Sequence, residues 1–142
     1  MPGLCGAIKL PSATGENDPD GLVSLMISAM HQETFYVAKQ WSCPTGRATF
    51  ATLGLEGLQG ALPVGAKALK GLAYGRPRFP TDVGRGWLAN VAGSFSLAVH
   101  DRNQDCYLLA TDRKSSEPVF YTEVSGVLCF APEVGVLASL PG

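Results

Sequence analysis

Four cysteines, two histidines and the Asp112-Arg113 pair carry most of the chemistry open to this 142-residue chain. Cys5, Cys43, Cys106 and Cys129 show no C-x-x-C spacing, so no zinc site and no other metal is expected. A thiol attacks as its thiolate, and an unperturbed cysteine titrates at about 8.5, so a reactive one needs a base or cation beside it. Cys5 has no such neighbour in the sequence, and one reading of it is a strand cysteine in the core. Cys106 and Cys129 fall in expected strands and are read as buried small hydrophobes. His31 follows a helix and is read as structural; His100 stands at a strand end before Asp101 and is expected to be exposed. Asp112-Arg113 opens a charged loop in which an ion pair is the simplest expectation, and Arg76 and Arg78 flank Pro77 as loop arginines.

The elements that must position these groups are clearest in the last fifty residues. Phe95, Leu97 and Val99 alternate with Ser94, Ser96 and Ala98, the period of a strand with one buried face. The polar run 101–105 predicts a hairpin turn into a strand at 106–111, and 119–122 and 127–130 form a second pair around Ser125-Gly126. Pro132 and Glu133 predict the first turn of a short terminal helix. Nearer the N-terminus, a loop at 11–17 leads to a helix with Asp18 as N-cap, Pro19 at its first position and Asp20 favourable to its dipole. Leu22, Leu25, Met26, Ala29 and Met30 give that helix one apolar stripe. Strands are expected at 35–41 and 47–55. Residues 56–90 hold seven glycines and three prolines, a density taken to exclude a long helix or a central strand, with a helical turn expected near 66–72.

Length points to a single domain over residues 1–142, with an irregular segment at 56–90. A net charge of −1 and scattered basic residues give no electrostatic case for nucleic acid or an anionic membrane. No apolar run approaches the roughly 20 residues of a membrane span, and a cytoplasmic location is expected.

The ordered set Gly93-Ser94-Phe95, Ala110, Asp112-Arg113, Pro118-Val119-Phe120-Tyr121 and Phe130-Ala131-Pro132-Glu133 resembles the end of the class II (N-terminal-nucleophile) glutamine amidotransferase domain of asparagine-synthetase-like proteins. The opening Leu4-Cys5-Gly6-Ala7-Ile8 resembles that family's start, and the run from Met30 through Tyr36 resembles a variant found in some of its bacterial members. The resemblance covers roughly 4–55 and 91–140 and fails between them.

The resemblance implies an α+β fold, a sandwich of two antiparallel β-sheets flanked by helices, here shortened. It also implies a second reading of Cys5, as a catalytic thiol attacking the side-chain amide of glutamine with its own α-amino group as base. That amine titrates at about 8, near enough to neutrality to shuttle a proton. The role requires removal of residues 1–4, so that Cys5 becomes the first residue. Several of the family's parts have no counterpart here: the arginine at the end of the strand at 47–55, the Asn-Gly oxyanion donors, and the aspartate that holds the substrate's amino group. Asp112 and Arg113 match a loop that shapes the domain interior. The resemblance therefore implies a glutaminase-type domain that is weak or inactive as it stands, with glutamine as ligand if active, no cofactor, and an ATP-dependent synthetase domain or self-association as partner. The alternative is a non-catalytic interaction domain of the same descent.

Overall fold

The computed structural model describes residues 2–11, 13, 17–30, 33–61, 68–80 and 86–141. His31, most of the loop at 11–17 and the first residues of the helical turn expected at 66–72 lie outside the described residues. The elements run β1 (Gly3–Lys9), α1 (Pro19–Met30), β2 (Val37–Ser42), β3 (Ala48–Gly54), β4 (Gln59–Ala61), β5 (Leu69–Arg78), β6 (Ala92–Asp101), β7 (Cys106–Thr111), β8 (Phe120–Val124), β9 (Val127–Ala131) and α2 (Val134–Ala138). Single 3₁₀ turns occupy Glu56–Leu58 and Trp87–Asn90.

The strands form two antiparallel sheets. One has the order β2-β3-β1-β9-β8 and the other β4-β5-β6-β7. Leu4, Ile8, Phe50 and Phe130 from the first sheet pack against Tyr74 and Ala98 of the second, with Trp41, Leu72 and Tyr107 closing the layer. On the other face of the first sheet, Cys5, Ala7, Ala51, Leu53, Cys129 and Ala131 pack beneath α1 and α2. The outer face of the second sheet is covered by the 3₁₀ turn carrying Trp87, with Phe95, Leu97 and Val99 beneath it. The chain is thus α+β with two facing sheets; among the described residues, α-helices flank only the first sheet.

The C-terminal strands and α1 lie within a residue or two of their expected places. Asp18 caps α1: its Oδ1 accepts from Asp20 N at 3.3 Å and its carbonyl from Leu22 N at 3.0 Å. Asp20 docks the helix on the sheet by accepting hydroxyl hydrogen bonds from Ser42, at 3.0 Å, and from Thr49. The buried face differs in phase from the expected stripe. Pro19, Leu22, Val23, Met26 and Met30 are buried, while Leu25 and Ala29 are exposed. The periodicity is the same, but packing on β1 and β3 selects the Val23 side of a helix that is apolar over more than one face. The terminal helix begins at Val134 with Glu133 at its cap, so Pro132 lies before it.

The described part of 56–90 departs most from expectation. β5 is a ten-residue strand in the interior of its sheet, and residues 69–72 are strand where a helical turn was expected. Two features reconcile it with its glycines and proline. β4 pairs with Leu72, Ala73 and Tyr74, so among the described residues Pro77 has β6 alone as strand neighbour, and its missing N–H breaks no second ladder. Gly75, at φ +109°, lies so close to β6 that a Cβ there would come within 3.1 Å of the Phe95 Cα. Cys106 is also corrected: it is half-buried, because it opens β7, an edge strand.

Candidate active site

Strand alternation decides where the Cys5 thiol points. Leu4 and Ile8 face the second sheet, so Cys5 and Ala7 face α1. Gly3 pairs with Leu53, Leu4 with Thr52 and Cys5 with Ala51, which holds the segment ahead of Cys5 inside the sheet. Cys5 has no exposed surface, and burial pushes its thiol up to about 12. The same cause raises Cys129 to about 11.

The polar groups near the start of β1 lie in the other layer. Tyr74 is buried between the sheets, with its hydroxyl over Gly54: a Cβ at that glycine would lie 2.6 Å from the Tyr74 Oη and 2.9 Å from the Pro2 Cβ. Burial, the Glu117 carboxylate and Tyr36 together push the Tyr74 hydroxyl up. Glu117 is itself raised, by burial and by Asp112. At the ends of β2 and β3, Thr52 Oγ1 donates to Gln59 Oε1 at 2.7 Å, and Gln59 Nε2 donates to the carbonyls of Val37 at 2.6 Å and Gly54 at 3.0 Å. The start of β1 thus gathers a tyrosine, a half-buried carboxyl and an amide clamp, with the Cys5 thiol on the opposite face of the sheet. Tyr74, Glu117 and Gln59 carried no signal in the sequence, because their partners come from separate strands.

Past Gly54, β3 continues into Leu55, Glu56 and Gly57, with no arginine. Arg47 lies at the opposite end of the strand, where its Nη1 is 3.8 Å from Asp105 Oδ2. Asp112 does not make the expected ion pair among the described contacts; it organises its own loop. Oδ1 accepts from Phe95 N at 3.4 Å and Ser116 N at 3.1 Å, and Oδ2 from the Ser116 hydroxyl at 2.9 Å. Desolvation raises its pKa, but those donors outweigh it and hold the carboxyl below the ordinary carboxylate range. Arg113 and Lys114 line a ≈ 510 Å³ groove beside that loop.

A second cluster lies at the far end of the sandwich. His100, expected to be exposed, is buried: its ring stacks on Tyr107 at 4.7 Å and its Nε2 lies 3.2 Å from Asp105 Oδ1. Cross-strand pairing with Tyr107 and a neighbouring Trp41 cover it. The Tyr107 hydroxyl donates to Cys43 Sγ at 3.8 Å, and Thr45 Oγ1 lies 3.1 Å from the same sulfur. Burial raises the Cys43 thiol, but the Thr45 and Tyr107 hydrogen bonds outweigh it and bring its pKa below the ordinary value. Tyr107 is pushed up to about 12 by burial and by Cys43. Among the described residues, no three His, Cys, Asp or Glu side chains are grouped so as to hold a metal, and no helix is long and apolar enough to cross a membrane.

Residues 79–142 match the family described as Glutamine amidotransferase domain. A 58-residue stretch is 40% identical to asparagine synthetase [glutamine-hydrolyzing] 2 of Bacillus subtilis (strain 168), covering 41% of this chain and 8% of that protein. The chain therefore spans a small fraction of the length of the curated relative it matches. No solved structure matches.

Proposed function

Taking the chain to carry a glutamine amidotransferase domain of the asparagine-synthetase type, we propose that residues 1–142 form one shortened N-terminal-nucleophile sandwich, weak or inactive as a glutaminase while residues 1–4 precede Cys5. One observation carries this reading. The Cys5 thiol is closed under α1, with its pKa pushed up to about 12, on the opposite face of the sheet from the polar groups near the start of β1. A thiol in that state is protonated at neutral pH and has no path to a substrate amide.

Removal of residues 1–4 would free the α-amine of Cys5 and release the Gly3 and Leu4 pairing that fixes its backbone. The amine would then take the thiol proton, the thiolate would attack the glutamine carboxamide, ammonia would leave, and water would hydrolyse the thioester to glutamate. This chemistry draws on no cofactor. The ammonia would pass to an ATP-dependent synthetase partner, and a cytoplasmic setting suits both reactions. The missing arginine and oxyanion donors keep even this form slow, since loss of one such donor typically costs about 10²–10³ in rate.

A second reading, a non-catalytic interaction domain of the same descent, is favoured by Arg47. The arginine nearest the substrate-grip position lies at the wrong end of β3 and faces Asp105. Glutamate formation from glutamine by the chain beginning at Met1 and by a chain made to begin at Cys5 separates the readings. Activity confined to the second form supports the masked nucleophile; activity in neither supports the interaction domain.

A further inference from the structure

Among the described residues, β8 is an edge strand of the five-stranded sheet with no strand paired on its outer side. A two-residue turn joins it to β9, with Ser125 at φ +49° and Gly126 at φ +83°, the combination of a type I′ hairpin. Such a turn closes on a hydrogen-bonded pair, here Val124 and Val127, and the pattern alternates from there. Val124, Thr122 and Phe120 therefore bond inward to β9, while Tyr121 and Glu123 aim their N–H and C=O groups away from the sheet. Tyr121 is 72% exposed and Phe120 43%. With Val134 and Leu137 of α2 they line an apolar groove of ≈ 500 Å³. Of the other edge strands, β2 carries Lys39 and β4 has only three residues, both devices that discourage strand addition, while β7 shares with β8 the lack of lysine and proline. β8 has no lysine, no proline and an uninterrupted five-residue ladder.

We propose that the β8 edge is a self-association surface, occupied by the same edge of a second copy of this chain in antiparallel register about a two-fold axis at Thr122. The strand is self-complementary in this register. Tyr121 faces Glu123 of the second copy and Glu123 faces its Tyr121, so the outward-facing residues exchange four backbone hydrogen bonds. A shift of the axis to lie between residues would set an outward group against an inward one. A shift to Glu123 would place two carboxylates directly opposite, which is destabilising. At Thr122 each carboxylate instead meets a tyrosine. On the helix side, Phe120 meets Val124 of the other copy, and the two grooves join into one covered surface. A five-residue ladder with a few apolar side chains falls short of the roughly 800 Å² per partner of a standard interface, so the dimer forms only at high concentration.

Sedimentation of the full chain from low micromolar to millimolar concentration tests the proposal, with three variants. The weight-average mass should climb toward twice that of the chain. Glu123→Pro removes an outward N–H without touching the β9 ladder and should weaken association about tenfold or more. Thr122→Cys lies on the axis as a non-hydrogen-bonded pair, with Cα atoms about 4.5 Å apart, within disulfide reach. It should give a covalent dimer on mild oxidation beyond the level of the parent chain, whereas Glu56→Cys on an exposed turn should not. A chain that stays monomeric throughout and does not link through position 122 overturns the proposal. So does a dimer indifferent to Glu123→Pro that also fails to link. If Glu123→Pro does not fold, linkage at position 122 alone supports the proposal and its absence overturns it.

Discussion

The Thr52 hydroxyl donates to the Gln59 amide oxygen at 2.7 Å, in a place closed to solvent. The same amide donates to the carbonyls of Val37 and Gly54, so one side chain ties together the ends of β2, β3 and β4. No buried side-chain polar atom among the described residues lacks a partner, and this clamp is one reason.

Gln59→Leu should therefore be costly despite similar volume. It leaves the Thr52 hydroxyl and two carbonyls without their partner, at about 1–3 kcal/mol for each group that water cannot reach. Urea unfolding should show a lower midpoint with an unchanged slope. The double variant Thr52→Val with Gln59→Leu should recover part of the loss, because a donor left alone is worse than none.

Thiol reactivity should rank by environment. At mildly alkaline pH a small alkylating reagent should modify Cys43, which keeps a little exposed surface and whose hydrogen bonds outweigh its burial, before Cys5 or Cys129, which have no exposed surface and whose pKa values burial alone raises. Tyr107→Phe removes one of the donors to Cys43, so the midpoint of its pH–rate curve should move upward. Peptide mass spectrometry of partly labelled protein reads both effects. Labelling of Cys5 ahead of Cys43 would contradict the ranking.

Alkaline stability carries the mark of Cys5. Its folded pKa of about 12 lies well above the ordinary thiol value of about 8.5, so the folded state holds a proton that the unfolded chain releases. The sign follows: this contribution is fully present below about pH 8.5 and is lost as pH rises through about 12. Cys5→Ala should lower stability at neutral pH through lost packing, yet show a shallower decline across that window. Thermal melts at stepped pH give the comparison. A slope equal to that of the parent chain would show that Cys5 is not the group responsible.

The legible parts of the fold are those whose signal is local. β6 and β7 repeat with period two and end in a polar turn, and β8 and β9 flank a Ser-Gly pair that can adopt positive φ; both hairpins form as read. β5 was not legible, because glycine and proline disfavour a strand in isolation while here they suit close contact with β6 and a stretch beyond β4. The phase of α1 failed for a related reason: Val23 and Leu25 are both apolar, and only the sheet beneath chooses between them. At the candidate site, the sequence picked out Cys5 but not the direction of its side chain. Tyr74, Glu117 and the burial of His100 depend on strands brought together from distant segments.

Cys5 is closed to substrate while residues 2–4 hold their place in β1. Intact-mass analysis after exposure to a glutamine-mimicking electrophile tests it most directly, on the chain retaining those residues and on one beginning at Cys5. No adduct should form at Cys5 in the first chain, whatever labelling the second shows. A stoichiometric adduct mapped to Cys5 in the first chain would contradict it.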